Sequence, residues 1–434
     1  MDVIATALAS PPAVGCVGPL RRFVHPVATV SLGAHTSLRD GRLSVGVAAA
    51  EGCFRSPALA GVRISTTCPG ESARIVKVLD AVEPRTKGRG GGGVFPGLLG
   101  RALPQGQGRV HVLRGAAVVT AGHLPRAQEA LVDMSGPAAP LSPLAALQCV
   151  VVEFEPAEDA AWEAVATALR VGALRLAAHL AEAALDEPPA AVEELPPTSL
   201  QRIHGDALPR VVAVTRLQCQ GAFKDVFVYG STLAGGLSVC VDPNELEDGA
   251  VVSGQYGHPG LKNPTYLFQN HPVVGALRAR DGADLRLAGL VLSPEPVEQG
   301  RKELVAAHCA RLCAALGADA AIVTKEGAGN ADADLALTMD GLEALGIPAV
   351  GLFAEMAGAD GSGSPLVVAP ERATALVSTG NYDQLLRLPA VERALGGREL
   401  AVAGAPAEAA VEVPTAMVYG SLNPLGWGRL RAVS

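Results

Sequence analysis

Aromatic side chains are scarce: 3% of the 434 residues, with two Trp, five Tyr and eight Phe. A core of ordinary size must therefore be built from Ala, Val and Leu, and the 49% hydrophobic content allows it. Charge is sparse too, at 18%, and its balance is acidic at −8. With no long basic stripe against that balance, nucleic acid is not expected as a partner. No uninterrupted apolar run reaches the roughly 18 residues of a transmembrane helix, so no membrane partner is expected either. The opening MDVIATALASPPAVGC has no basic region before its short apolar run, unlike a secretory signal. Eight Cys scattered through a long apolar chain read as reduced thiols in a cytoplasmic protein. What the chain has in plenty is Gly and Pro, 50 and 32, still below the roughly 25–30% that marks low-complexity chains. The length suits two or three domains.

Residues 1–25 read as an irregular leader. Short apolar runs then alternate with turns: Val27–Leu32, Arg42–Val47, Val62–Thr66, Arg74–Leu79, Val110–Leu113, Ala116–Thr120 and Cys149–Phe154. Such punctuation predicts a β-rich N-terminal domain, 1–156, of sandwich or barrel type. The run GRGGGGVFPG at 88–97 lacks the Lys-Ser/Thr of a phosphate loop and is read as a turn. In 157–186, Trp162, Val165, Leu169, Leu176 and Leu180 mark one face of a long amphipathic helix. His179 on that helix is read as a solvated or capping residue. DEPPAAVEELPPTS, at 186–199, reads as an extended linker, which makes 157–200 a helix-and-linker segment. From 201 to 434 the period is that of a doubly wound α/β domain. Strands are expected at Val211–Thr215, Leu285–Leu292, Ala320–Thr324, Ala349–Phe353 and Ala373–Ser378, and helices at Val297–Leu316, Asp332–Leu345 and Asp383–Arg393. The fold class is α/β overall, with an α+β N-terminal part.

Within this frame the stretch 251–271, VVSGQYGHPGLKNPTYLFQNH, loses all periodicity while gathering His258, Lys262, Asn263, Tyr266, Asn270 and His271. Loops so dense in polar side chains either connect or carry function. Ligands of open parallel sheets bind outside the carboxyl ends of the strands. KEGAGNADAD, at 325–334, follows one such end. Asn330 as a cap and Asp332 and Asp334 in the first helical turn have a structural explanation; Glu326, at the strand end, does not. Two Asp are too few oxygen ligands for a hard cation, and no metal is expected. Cys309 and Cys313 share a helix face and read as buried thiols, since a zinc site would need two further ligands. Cys219, in LQCQG at 217–221, stands at the edge where function is expected. A thiol there is reactive only if its pKa is lowered.

Several of these segments resemble the alpha/beta subunit precursor of component B of the glycine, sarcosine and betaine reductases, to which the D-proline reductase precursor is related. They are the acidic-Gly-Gly-Phe-Pro-Gly region at 83–97, GAAVVT at 115–120, the Asp133-to-Pro137 turn, the Leu-Gln-x-Gln-Gly frame around Cys219, Lys262-Asn263-Pro264-Thr265, and the Glu-Gly-x-Gly-Asn-x-Asp-Ala-Asp pattern from Glu326 to Asp334. The resemblance runs from about residue 27 to 430. In that family a Cys near this Lys-Asn-Pro-Thr attacks the preceding carbonyl, and elimination cuts the chain to leave a pyruvoyl group. Ser253-Gly254 is kept here, but Gln255-Tyr256 stands at the critical step. A phenol has no leaving heteroatom on its β-carbon, so no pyruvoyl cofactor is expected.

The resemblance implies a heteromeric complex with a component-B-like partner subunit that carries Cys or selenocysteine. It also implies reductive C–N cleavage of a small amine or carboxylate substrate. Two functional classes follow: an enzyme subunit that shapes a substrate pocket without pyruvoyl, or a non-catalytic scaffold of a diverged complex in specialised metabolism. The expected catalytic residues are Tyr256, Glu326 and Cys219. Gln255, His258, Lys262, Asn263 and Asn330 are expected to contact substrate.

Overall fold

The computed structural model describes residues 18–198, 207–373 and 375–433. The long apolar runs after residue 209 fold as buried strands of one seven-stranded sheet. Its order is Val239–Val241, Arg286–Glu295, Arg210–Gln218, Ala320–Thr324, Ala349–Glu355, Ala375–Asn381 and Arg431–Val433. The five inner strands run parallel and the two outer ones antiparallel. Both faces are covered, and the central strand shows it by alternation. Val212 and Val214 point to the cluster built with Cys309, Cys313, Leu335 and Met339. Ala213 and Leu217 point to the opposite cluster, with Phe268, Val274 and Leu277. The helices Gln299–Ala315 and Asn330–Ala344 thus lie on one face and Pro272–Arg280 on the other. The α/β class read from the sequence holds. Cys309 and Cys313 are buried, as read.

The helix expected at Asp383–Arg393 is not formed. Leu385–Leu388 is a strand antiparallel to Val411–Pro414. Leu386 and Leu388, two residues apart, pack on the same apolar cluster, and Pro389, with no N–H, ends the run. The leader expected to be irregular contains the strand Leu20–Pro26; residues 1–17 lie outside the described residues. The acidic Pro-rich stretch supplies that strand's antiparallel neighbour, Ala191–Leu195. Glu193 and Glu194 sit in register with Arg22 and Arg21 and form ion pairs with them.

The helix Trp162–Glu182 buries Val165, Leu169, Leu176 and Leu180, as their spacing predicts. Among the described residues it is the one helix long and apolar enough to cross a membrane, and 61% of that window is buried inside the protein. A Cβ at Gly172 would stand 2.2 Å from the Phe54 ring, so glycine sets that close approach. His179 bonds Thr36 at 3.0 Å. The Gly-rich run is a turn docked on the α/β half: the Phe95 N–H donates to the Asp248 carbonyl at 2.7 Å.

Buried charge joins the halves. Arg85, fully buried, donates to Glu83 (2.6 Å), to the Glu247 carboxylate (2.6 Å) and carbonyl (2.8 Å), to the Gln269 carbonyl (3.1 Å) and to Asn270 (3.0 Å). Arg74 pairs with Asp133 and reaches the carbonyls of Pro389, Ala407 and Ala409. Beside it Arg393–Leu395 adds to the N-terminal strand Ala73–Val76. Removing one member of a buried pair strands the other, at about 3–5 kcal/mol. Arg85→Met is therefore expected to lower the unfolding free energy by that amount. Arg280→Met, which breaks the exposed Arg280–Asp284 pair, should leave it nearly unchanged. Urea denaturation of the two variants checks this; equal effects would mean that Arg85 is not a structural node.

Candidate functional site

The central strand Arg210–Gln218 comes first in the chain. The next parallel strand, Arg286–Glu295, pairs on one side of it, and the following one, Ala320–Thr324, on the other. Where strand order reverses in this way, crossovers leave on opposite faces and open a crevice at the carboxyl ends. Three side chains meet there. Gln218 ends the central strand with Glu295 directly opposite in register, and Glu326 follows the third strand by two residues. The Gln218 N–H donates to Glu326 Oε2 at 3.1 Å, and the Glu326 N–H donates to Glu295 Oε1 at 3.2 Å.

The polar stretch 251–271 lies over this point. It begins as a short strand, Val251–Gln255, antiparallel to Lys224–Val228. The chain then turns through His258, whose φ of 47° is left-handed, into the 3-10 turn Pro259–Leu261 and the helix Thr265–Gln269. Lys262, 2% exposed, points back into the loop. Its ammonium donates to Ser253 Oγ at 2.7 Å and to the Gln255 carbonyl, and lies 5.1 Å from the Tyr256 ring centroid. Asn263 donates to the Lys325 carbonyl at 3.0 Å and accepts from Asn423 at 2.6 Å. Asp80, from the N-terminal strand Val78–Val82, accepts from the Thr265 hydroxyl at 2.6 Å and from its N–H at 3.0 Å. Gln255, Tyr256, Lys262, Asn263 and Glu326 thus form one buried polar cluster.

The other expected residues stand differently. Cys219 is at the strand end but closed in, and burial pushes its thiol up to about 12, an environment for an unreactive thiol. His258 holds the loop through its N–H, bonded to the Gln128 side chain, while its ring faces Tyr382. Asn330 is exposed at the helix start, and it is Asp332 that closes the cap, accepting from the Gly329 N–H at 3.2 Å. Asp332 and Asp334 do more than meet a helix dipole. They are buried and paired, Asp332 with Lys325 and Asp334 with Arg216 and Lys302. Among the described residues no group of three or more His, Cys, Asp or Glu could hold a metal ion.

Burial dominates the electrostatics. It pushes Glu326 up to about 7 and Glu295 up to about 8, and the ammonium of Lys262 down to about 8. Asp80 and Tyr256 are raised by the same cause. The cluster is therefore rich in groups that gain or lose a proton near neutrality.

A family of glycine/sarcosine/betaine reductase component B subunits matches residues 20–432 of the chain. The chain belongs to this family. It is 36% identical over 375 residues to the glycine reductase complex component B subunits alpha and beta of Peptoclostridium acidaminophilum, covering 84% of this chain and 87% of that relative. From the same organism, the sarcosine reductase complex component B subunit alpha is 34% identical over 337 residues, 77% and 79% of the two chains. The betaine reductase complex component B subunit alpha is 33% identical over 387 residues, 86% of each. No solved structure matches. Near-equal identity to the three types singles out none of their substrates.

In this component B chain, reading the sequence missed Asp80, Glu295 and Asn423. Asp80 and Glu295 each had a signal, a carboxylate inside or ending an apolar strand. Asn423 had none, being a single amide 160 residues from its partner. An apolar cavity of about 490 Å³ lies elsewhere, between Leu79, Leu124, Gln128, Pro259 and Met417. It borders the 256–260 loop from the N-terminal side.

His271, buried where the loop ends, provides a pH test. Its Nδ1 accepts from the Val274 N–H, so the neutral ring donates through Nε2 to Thr215 at 2.9 Å. Burial holds it down to about 3. Between the ordinary value of 6.5 and that value the unfolded chain binds a proton that the folded one refuses. Its contribution is complete above pH 6.5 and lost as pH falls toward 3. The stability gap between wild type and His271→Gln, measured by urea midpoints, should therefore narrow below pH 6.5 by up to about 1.4 kcal/mol per pH unit. A gap constant from pH 7 to pH 5 would contradict a buried neutral His271.

Proposed function

We propose that this chain is an unprocessed component-B-like subunit that lacks a pyruvoyl group. In this reading it shapes a substrate pocket for the thiol or selenol of a partner subunit in a reductase complex. The observation that carries the proposal is the junction at residues 255–256. The loop frame is intact, with Lys262 on the Gln255 carbonyl and Asn263 tying the loop to the strand end, yet residue 256 has no β-heteroatom to eliminate. Residues at this junction do not fit a pyruvoyl group. What remains is acid–base and binding chemistry. Glu326 is suited to give or take a proton at a substrate amine, because its carboxyl titrates near neutrality. Lys262 suits a substrate carboxylate as a point charge. Tyr256, protonated and buried, serves as a wall of the pocket. No reactive role falls to Cys219. A cytoplasmic setting belongs to the proposal, in keeping with the free thiols of all seven described cysteines.

One observation favours the scaffold reading: Tyr256, Lys262 and Glu326 are each at most 6% exposed in the chain alone. A subunit whose cluster stays closed would only position its partner.

Intact mass spectrometry should show one chain of 44.1 kDa. Two fragments divided near residue 255, the second with a carbonyl-reactive N-terminus, would end the unprocessed reading. Co-expression with the reductase-like subunit of the adjacent gene should give a complex that survives size exclusion. In that complex Glu326→Gln should lower turnover by about 10²-fold or more, the scale of general acid–base catalysis. Lys262→Met should raise KM, and Tyr256→Phe and Cys219→Ser should retain turnover within a few-fold. If all four variants behave as wild type, the pocket is elsewhere. If Glu326→Gln prevents assembly while the partner alone keeps its chemistry, the scaffold reading stands.

A further inference from the structure

Nine charged side chains meet at the carboxyl ends of the three central strands, each at least nine-tenths buried. Four are cations, Arg216, Lys262, Lys302 and Lys325, and five are acids, Asp80, Glu295, Glu326, Asp332 and Asp334. Fully ionised, the cluster would hold one uncompensated negative charge away from water, which is strongly unfavourable. One more proton makes it neutral.

Hydrogen bonding shows where that proton belongs. Asp80 accepts from both donors of Thr265. Asp332 accepts from Lys325 and from the Gly329 and Val367 N–H groups. Asp334 accepts from Arg216 and Lys302. Each of these three carboxylates is served by donors on both oxygens. Glu295 and Glu326 are not: Glu295 Oε2 and Glu326 Oε1 are buried without a donor, and so is the amide oxygen of Gln218. An O–H on one of these carboxyls supplies a donor at this point, where the bonded N–H groups of Arg216 and Lys325 are directed to Asp334, Asp332 and backbone carbonyls instead.

We propose that Glu295 and Glu326 form a carboxyl–carboxylate pair that carries a single proton, with Glu295 as the positioning residue that keeps Glu326 protonated until substrate is bound. The proposal rests on the assignment of Glu326 as the acid of this site. The two carboxyls are coupled through the Glu326 N–H bonded to Glu295 Oε1 and through Gln218, whose backbone holds Glu326 and whose register partner is Glu295. Lys262, Asp80 and Tyr419 face Glu326; Arg216, Lys325, Asp334 and the protonated thiol of Cys219 face Glu295. Arg170, at the Tyr256 ring, is partly open to solvent, so its charge is screened by water as those of the nine are not. Both carboxyls are pushed up toward neutrality, burial being the largest cause for each, as befits a pair that titrates as a unit. A proton held here is at the right place to be given to a departing amine, and Glu295, which ends its own strand, makes that possible without touching substrate.

The test is infrared spectroscopy of the intact chain, which needs neither partner nor substrate. Its failure is therefore distinct from failure of the functional assignment. At neutral pH the wild type should show the C=O stretch of a buried protonated carboxyl, shifted by deuteration. Glu295→Gln removes one negative charge, so Glu326 then ionises and the band is lost; Glu326→Gln should lose it in the same way. Raising the pH of the wild type should abolish the band in one step, an observation that requires no variant to fold. Absence of the band from the wild type at neutral pH would overturn the proposal. So would its persistence in both variants, which would put the proton on another carboxyl such as Asp80.

Discussion

The guanidinium of Arg85 is buried with no access to water, and the arrangement of the molecule follows from satisfying it. A guanidinium has five N–H donors in a rigid fork and cannot give up its proton. Glu83 and Glu247 supply the charge, while the carbonyls of Glu247 and Gln269 and the side chain of Asn270 complete the set. Those partners come from both halves of the chain. The end of the 251–271 stretch is thereby fixed to the N-terminal strands. Asp80, five residues before Arg85, fixes the middle of the same stretch through Thr265. The polar loop is therefore held from below by the β-rich part, although its chemistry faces the parallel sheet.

Sheet topology accounts for the other side of the site. Strand order reverses between Arg210–Gln218 and Ala320–Thr324, and the loops at their carboxyl ends diverge. Buried cations fill that divergence, and each draws an acid: Arg216 and Lys302 on Asp334, Lys325 on Asp332. The first turn of the helix Asn330–Ala344 is thus neutralised by side chains as well as by its own capping. Those two Asp residues are structural, which leaves Glu326 and Glu295 as the acids with unused capacity.

Much of this was legible in the sequence, for reasons that separate cleanly. Continuous apolar runs such as Ala320–Thr324 have few alternatives to a buried parallel strand, and the helix Trp162–Glu182 shows its face by spacing alone. Glu326 could be picked out because a carboxylate at a strand end has no capping role to explain it. Glu295 escaped because Ser293 and Pro294 look like the end of a strand, whereas pairing with the central strand carries it to Glu295. The helix expected at Asp383–Arg393 failed because a short Leu-rich run fits either period, and only its partner Val411–Pro414 decides. Asn330 has the cap residue type, yet Gly329, with φ of 69°, takes the position before the helix and leaves Asn330 exposed. Asn423 acts over a long sequence separation, where no local pattern exists to be read, whereas Asp80 stood out only as a carboxylate within an apolar strand.

Residue 256 joins these strands of the argument. On one side of the Tyr256 ring lies the Lys262 ammonium, with Glu326 and Asp80 behind it. Leu79 and Leu124 pack in the same apolar cluster as the ring and also line the apolar cavity. Gln128 fastens the loop, its N–H on the Tyr256 carbonyl and its side chain on the His258 N–H. His258 is held in a left-handed conformation that is uncommon outside glycine, though less so for His than for most residues. Tyr256 thus touches the buried charges through Lys262 and the apolar side through Leu79 and Leu124.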